Sequence, residues 1–141
     1  MDLRLTYNDE TMITTHSSQS ILMKDITERA DVILMVDFFY AKVTKDELLA
    51  PLFRDLDWPH HLPTMYNFWT SMLLGDASYQ GNPFQKHIHL AINTSHFDRW
   101  LQLFTQTVDE HFAGAKADEV KSRAASIAGL FQHRLGLSIN R

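Results

Sequence analysis

The sequence predicts an all-α domain. Apolar residues recur at helical spacing in several segments, loop signals separate these segments, and none shows the sustained alternation of a strand. The chain has 141 residues, of which 45% are hydrophobic and 11% aromatic, with eight histidines and no cysteine. A chain of this length can bury a packed core without disulfides or zinc. We therefore expect one helical domain over 25–141.

The first 24 residues are predicted to form a polar, loosely ordered arm because they lack a sustained apolar period. Charged residues stand in this arm where a signal peptide would need an apolar block, and no apolar run approaches the roughly 20 residues of a membrane span. The 13 basic and 17 acidic side chains give a net charge of −4, without a basic cluster. We therefore expect a cytoplasmic protein that binds neither nucleic acid nor membrane.

The first helix is predicted to start near Asp25. Asp25 and Glu28 have the spacing of a capping box, in which two side chains satisfy free backbone N–H groups of the first turn. An apolar stripe at helical spacing follows, formed by Val32, Met35, Val36, Phe39, Tyr40 and Val43. The stripe places Tyr40 on the buried face of this helix.

Two further helices are predicted before residue 75. A short one covers 46–53, with Asp46 as its cap and Pro51 limiting its regularity. A longer one covers 61–74, where two neighbouring apolar stripes leave most of the helix surface in need of cover. These stripes are formed by His61, Met65, Phe68 and Met72, and by Leu62, Trp69 and Leu73. One stripe can therefore face something other than protein.

The second half of the chain is predicted to contain one very short helix and two long ones. Asn82 and Pro83 offer a cap and a first residue for the short helix. Ser95 can cap the next helix, which Gly114 is expected to stop. Its apolar stripe is formed by Phe97, Trp100, Leu101, Phe104, Val108 and Phe112. The last helix is predicted to end near Gly136.

Four side chains are predicted to place a hydrogen-bond donor on a largely apolar helix surface: Tyr40, His61, His87 and Trp100. Taken singly, the two aromatic residues are also typical of an ordinary core, and the two histidines of helix caps or surfaces. His87 and His89 form a His-x-His pair, but on a helix their side chains point about 200° apart, which weakens a shared metal site. Without cysteine, any metal must be held by nitrogen or oxygen.

Several segments, taken in order, resemble the truncated haemoglobin family, most closely its third group. The resemblance covers about residues 25–135. It rests on DFFYAKV at 37–43, LAPLF at 49–53, WPHHLPTM at 58–65 with FW at 68–69 and LLG at 73–75, YQGNP at 79–83 leading to Lys86 and His87, and HFDRWLQLF at 96–104. It implies a truncated two-over-two globin fold over 25–141 that binds haem b non-covalently.

The resemblance also implies roles for individual residues. His87 would bind the haem iron, and Lys86 would reach a haem propionate. On the opposite side, donors that stabilise a partly negative diatomic ligand such as dioxygen would be Tyr40, His61 and Trp100. Apolar walls around the haem would come from Phe53, Met65, Phe68 and Met72. His60 adjoins His61 and is the other candidate for the pocket histidine, although the His-Leu-Pro run favours His61.

Three strong donors predict slow release of the ligand. This favours redox chemistry on the bound ligand, such as nitric oxide dioxygenation or peroxide activation, over bulk oxygen transport. Such chemistry requires an unidentified reductase, because the chain has no flavin or nicotinamide motif. Alternatives are a ligand sensor, an oxygen carrier, a cofactor-free helical interaction module and, least favoured, a His/carboxylate metalloenzyme.

Overall fold

The computed structural model describes residues 23–76, 79, 81 and 92–137. Within these residues it contains α-helices and one short 3-10 helix, with no β-strand. The elements are α1 (Arg29–Val43), the 3-10 helix (Ala50–Phe53), α2 (Trp58–Leu74), α3 (Thr94–His111) and α4 (Ala115–Arg134). The predicted all-α class is confirmed, whereas the predicted short helix after Asn82 and nearly all of the predicted arm lie outside the described residues.

The core lies where α1 packs on α2 and α3, and where α3 packs on α4. Every residue of the stripe predicted for α1 is buried, including Tyr40, which is 9% exposed. The ring of Phe104 on α3 lies at the centre of this contact, 5.2 Å from Phe39 and 5.0 Å from Trp69 between ring centroids. Helical periodicity therefore identified the buried face of α1 correctly.

The predicted start of the first helix is wrong by about one turn. Glu28, and not Asp25, is the N-cap of α1, and it forms the capping box with Asp31. Asp25 acts on a different helix, because its carboxylate accepts the backbone N–H groups of Lys116 and Ala117 in the first turn of α4, at 2.9 and 2.8 Å. The partner of this cap lies 91 residues along the chain, where a rule based on local spacing cannot detect it.

The predicted α-helix over 46–53 is also wrong. Asp46 caps a turn by accepting the backbone N–H groups of Leu48 and Leu49, and only the last four residues are helical, as a 3-10 helix. The following helix, α2, starts three residues earlier than predicted. Its early start is compatible with Pro59, because a proline in the first turn lacks only an N–H group that has no partner within the helix.

The caps of α3 and α4 differ from their predictions. Asn93, and not Ser95, is the N-cap of α3: its side chain accepts the N–H groups of Ser95 and His96, while its own N–H donates to Nδ1 of His96. Gly114 is the N-cap of α4 instead of the stop of α3, which ends at His111. The predicted end of α4 is correct, because Gly136 follows it in the left-handed region with φ +75°.

Candidate functional site

The helices and the 3-10 helix surround a cavity with about 850 Å³ of space not filled by atoms, including the part open to solvent. Pockets of this size accommodate large cofactors or drug-sized ligands. Most of its lining side chains are apolar or aromatic: Leu49, Leu52, Phe53, Met65, Phe68, Trp69, Ile92, Phe97, Ile127, Ala128 and Phe131. The lining side chains with polar atoms are Tyr40, His61, His96 and Trp100. The cavity therefore suits a large apolar ligand that also meets a few fixed polar groups.

Tyr40 and His61 form a hydrogen-bonded pair in the cavity wall. The phenol oxygen of Tyr40 lies 3.1 Å from Nε2 of His61, and the two rings meet edge to face with centroids 5.1 Å apart. Burial raises the pKa of Tyr40, because it disfavours the charged phenolate. The phenol therefore stays neutral at physiological pH and keeps its proton.

The indole of Trp58 holds this pair from outside the cavity lining. Its ring lies 5.2 Å from Tyr40 and 5.5 Å from His61, with both contacts close to perpendicular. Phe53 stacks on Trp58 at 6.3 Å and also contacts Tyr40. The sequence reasoning did not assign Trp58 to the site, although it opens one of the matched segments, because the helix was expected to begin after it.

Trp100 reaches the same cavity from α3. Its ring meets Phe39 edge to face at 5.7 Å and stacks on Phe104 at 5.5 Å with an interplanar angle of 13°. Phe39 precedes Tyr40 on α1, so the aromatic packing that fixes Trp100 also contacts the helix that carries the phenol. The structure thus brings together Tyr40, His61 and Trp100, the three donors predicted from sequence.

Of the other predicted site residues, some line the cavity and some do not. Phe53, Met65 and Phe68 line the cavity, whereas Met72 is partly buried against the main core and is not among the lining residues. His60 is exposed, so of the two adjacent histidines it is His61 that reaches the cavity. The predictions for Lys86 and His87 fall outside the described residues.

The wall formed by α3 and α4 was not predicted as part of the site. Phe97, Ala128 and Phe131 form a second buried cluster, in which the two phenylalanine rings meet at 6.5 Å and 89°. These residues belong to ordinary apolar stripes in the sequence, and a stripe does not distinguish contact with a ligand from contact with another helix. His96 was interpreted as a helix-cap or surface histidine; it does take part in the cap of α3, and it also lines this wall.

A partly buried ion pair connects two walls of the cavity. Oδ1 of Asp46 lies 2.7 Å from Nε and 2.6 Å from Nη2 of Arg99, the residue before Trp100. Oδ2 accepts the turn N–H groups that precede the 3-10 helix, and the Asp46 side chain is only 7% exposed. The Arg99 guanidinium holds the pKa of this carboxyl below its ordinary value. The pair therefore links α3 to the segment that carries Leu52 and Phe53.

Comparison with known proteins identifies the family. Residues 22–133 match the family described as bacterial-like globin, which is well over half of the chain. The chain belongs to this globin family. This match and the solved structure of a related globin confirm the truncated two-over-two globin fold predicted from the sequence.

This globin is 34% identical over 108 residues to the group 3 truncated hemoglobin of Campylobacter jejuni, covering 72% of the chain and 85% of the relative. The crystal structure of the group III truncated hemoglobin from that organism matches with a TM-score of 0.73 and 32% identity, over 80% of this chain and 95% of the other. The 2/2 hemoglobin of Synechococcus, solved with covalently attached heme, shares the fold at a TM-score of 0.65 and 24% identity, over 77% and 92% of the two chains.

The family relationship confirms haem with its iron as the predicted cofactor, and the cavity fits such a group. A haem is a broad, flat and mostly apolar ring, and the lining offers aromatic and aliphatic side chains from every helix of the described chain. In the described ranges, no group of three His, Asp or Glu side chains is arranged to hold a metal ion directly. In the same ranges, no helix is both long enough and apolar enough to cross a bilayer.

Proposed function

We propose that this globin holds haem b non-covalently in the cavity and binds dioxygen or another diatomic ligand there, with Tyr40, His61 and Trp100 as the donors that stabilise it. The observation that carries the proposal is the hydrogen-bonded pair of Tyr40 and His61 in an otherwise apolar wall. The haem iron, when bound, supplies the coordination position for the ligand.

The apolar wall strengthens the hydrogen bonds that the donors can make. A hydrogen bond to a negatively charged acceptor is worth more where water is excluded, because fewer competing dipoles screen it. Ring contacts with Phe53 and Trp58 already hold Tyr40 in position. Binding of a ligand therefore costs little conformational entropy at this side chain. A ligand atom that gains negative charge is therefore stabilised by a donor that is already in place.

The tautomer of His61 decides where the phenol proton points. If Nε2 is unprotonated, it accepts the proton of Tyr40 and the phenol offers only lone pairs to the cavity. If Nε2 carries the proton, it donates to the phenol oxygen, and the O–H of Tyr40 is free to turn towards a ligand. We assign the second arrangement to the ligand-bound protein, because Nε2–H of His61 then holds the phenol oxygen and leaves the O–H of Tyr40 for the ligand.

We further propose His87 as the iron ligand. Support comes from the resemblance of the Lys86-His87 segment and from the lack of cysteine, which excludes thiolate ligation and attachment of haem through cysteine. Substitution of His87 by Ala should abolish the normal ferrous spectrum and weaken haem binding. The matched control is His60→Ala, which removes an exposed histidine in the first turn of α2. Full haem affinity and an unchanged spectrum in His87→Ala would refute the assignment.

Redox chemistry on the bound ligand is the proposed use of the site. Slow ligand release suits nitric oxide dioxygenation or peroxide activation better than transport, and it requires electrons from a separate reductase. Sensing and oxygen carriage are the outcomes that would replace this proposal. Both would use the same binding site, but neither requires catalytic turnover of the bound ligand.

Two measurements test the proposal in sequence. The visible spectrum of the purified protein with haemin, before and after reduction and carbon monoxide, should show a Soret band that shifts. A colourless protein after haemin is offered would favour a cofactor-free interaction module instead. Stopped-flow mixing of the dioxygen complex with nitric oxide should then give rapid conversion to nitrate, with turnover when a reductase is supplied. Slow conversion without turnover would favour a carrier or a sensor.

A further inference from the structure

His96 lies in the cavity wall, and one of its ring nitrogens already forms a hydrogen bond. Its Nδ1 lies 3.0 Å from the backbone N–H of Asn93, and this N–H can only donate. The side chain of Asn93 in turn accepts the N–H groups of Ser95 and His96, which completes the capping box of α3. Nδ1 of His96 therefore acts as an acceptor and carries no proton in this arrangement.

The capping box fixes the tautomer of His96. A neutral imidazole that accepts at Nδ1 must carry its proton on Nε2. Nε2 is thus a donor that points away from the cap, and within the described residues it has no hydrogen-bond partner. The neighbouring wall residues Phe97 and Phe131 offer it no acceptor from their side chains. Because His96 is one of the lining residues, this donor is available to a ligand in the cavity.

We propose that Nε2–H of His96 donates to a carboxylate of the bound haem, which makes this residue part of the propionate site. The inference rests on the proposed function, in which the cavity holds haem. Burying a carboxylate without partners is costly, so the propionates belong where water or a donor can reach them. His96 is half-buried, whereas Tyr40 at the other polar position is nearly inaccessible. A carboxylate therefore fits at His96 better than beside Tyr40.

Two substitutions separate the donor from the cap. Glutamine and glutamate both occur at the third helical position of capping boxes, because their side-chain oxygen accepts the N-cap N–H. His96→Gln keeps the cap and retains an N–H donor for the ligand. His96→Glu keeps the cap but places a negative charge beside the proposed carboxylate. The two variants should have closely similar helix content and thermal stability without haem, which circular dichroism can check.

The probes are haemin and haemin dimethyl ester, in which both carboxylates are masked. For haemin, we expect His96→Glu to weaken binding by about tenfold or more relative to the wild type, from loss of a charge-assisted bond and added repulsion. His96→Gln should stay within about threefold. For the dimethyl ester, His96→Glu and the wild type should bind alike. The measured quantity is the equilibrium affinity, from titration of the Soret band, together with the rate of haemin transfer to a scavenging apoprotein.

Each outcome has a defined meaning. Equal loss of affinity for haemin and the ester in His96→Glu would overturn the proposal, because the effect would then not involve a carboxylate. Unchanged haemin affinity in His96→Glu would overturn it as well. If the wild-type protein binds neither probe, the proposed haem function fails, and that failure is visible without any variant.

Discussion

At the scale of single residues, the site depends on a phenol whose proton is kept by its surroundings. Burial raises the pKa of Tyr40, so the side chain keeps its proton at physiological pH. The ring contacts of Phe53 and Trp58 fix its position, and His61 determines the direction of its proton. Removing the hydroxyl alone should therefore change ligand binding much more than packing.

Tyr40→Phe tests this role directly. A hydrogen bond to a charged group is worth about 1.5 to 3 kcal/mol, so dioxygen should dissociate about 10 to 100 times faster from the variant. The matched control is Tyr66→Phe, which removes another tyrosine hydroxyl, bonded to Asp37 between α1 and α2 and outside the cavity lining. Stopped-flow measurement of dioxygen release gives both rates. An unchanged rate in Tyr40→Phe would rule it out as the main donor.

Gly114 is a second residue at which the surroundings require a particular amino acid. Its φ is +140°, and an added Cβ would lie 2.5 Å from Cγ of Asp25. The glycine therefore makes room for the carboxylate that caps α4. Burial by itself would raise the pKa of Asp25, but the N–H groups of Lys116, Ile26 and Ala117 outweigh it, and the pKa is lowered.

Gly114→Ala should lower the free energy of unfolding by about 2 kcal/mol or more, through backbone strain and displacement of the Asp25 cap. Gly129→Ala is the matched control, because Gly129 lies within α4 and an added Cβ there meets nothing within 4 Å. Alanine at 129 should be neutral or stabilising by up to about 1 kcal/mol. Urea denaturation of both variants measures the difference, and equal stability of the two would contradict the steric argument.

At the scale of elements, the ion pair between Asp46 and Arg99 sets the position of the 3-10 helix against α3. The carboxylate is almost fully buried and binds both the guanidinium and two turn N–H groups. The segment after it supplies Leu49, Leu52 and Phe53 to the cavity. A cavity wall that has only one turn of 3-10 helix is thus held by side-chain electrostatics as well as by packing.

Asp46→Asn should lower the free energy of unfolding by about 1 to 3 kcal/mol at neutral pH. The folded pKa of Asp46 lies below its ordinary value of 3.8, so the pair stabilises the protein above that value and ceases to do so as the pH falls through the folded pKa. The difference in the free energy of unfolding between wild type and variant should therefore disappear in acid. Urea titrations from neutral pH to about pH 2 measure it, with Glu119→Gln, which removes a partly exposed carboxylate from surface ion pairs, as a control that changes less. A gap independent of pH would refute the electrostatic explanation.

At the scale of the whole molecule, the cavity is the point where all described helices meet. Its walls come from α1, α2, α3, α4 and the 3-10 helix, so a ligand that fills it is in contact with the entire fold. Anything that binds the folded state and not the unfolded chain stabilises the fold. The cofactor should therefore act as a structural element in addition to its chemistry.

Removal of haem should lower the unfolding midpoint in urea. At a free haemin concentration a thousandfold above the dissociation constant, the expected stabilisation is about 4 kcal/mol. Iron-free protoporphyrin provides the control, because it fills the same walls without an iron bond and should restore part of the difference. The same midpoint with and without haemin would show that the cavity does not hold the cofactor in the folded protein.

The sequence by itself determined the all-α class, the buried face of α1 and the end of α4. These features depend on neighbours three or four residues apart, or on a glycine at a helix end, and such local preferences are written directly in the residue order. The ordered segments around Tyr40, His61 and Trp100 also indicated the family, and they predict a donor set that the Tyr40→Phe measurement tests. The haem cofactor was thus predictable before any coordinates.

The tertiary structure decided which residues act across the fold. Asp25 was assigned to its own helix but caps α4, and Gly114 was assigned as a stop but makes room for that cap. His96 and Trp58 joined the site because distant segments meet there, and apolar stripes do not indicate which neighbour they will touch. Caps, cavity walls and donor directions depend on long-range packing, so they emerge only when the helices are brought together.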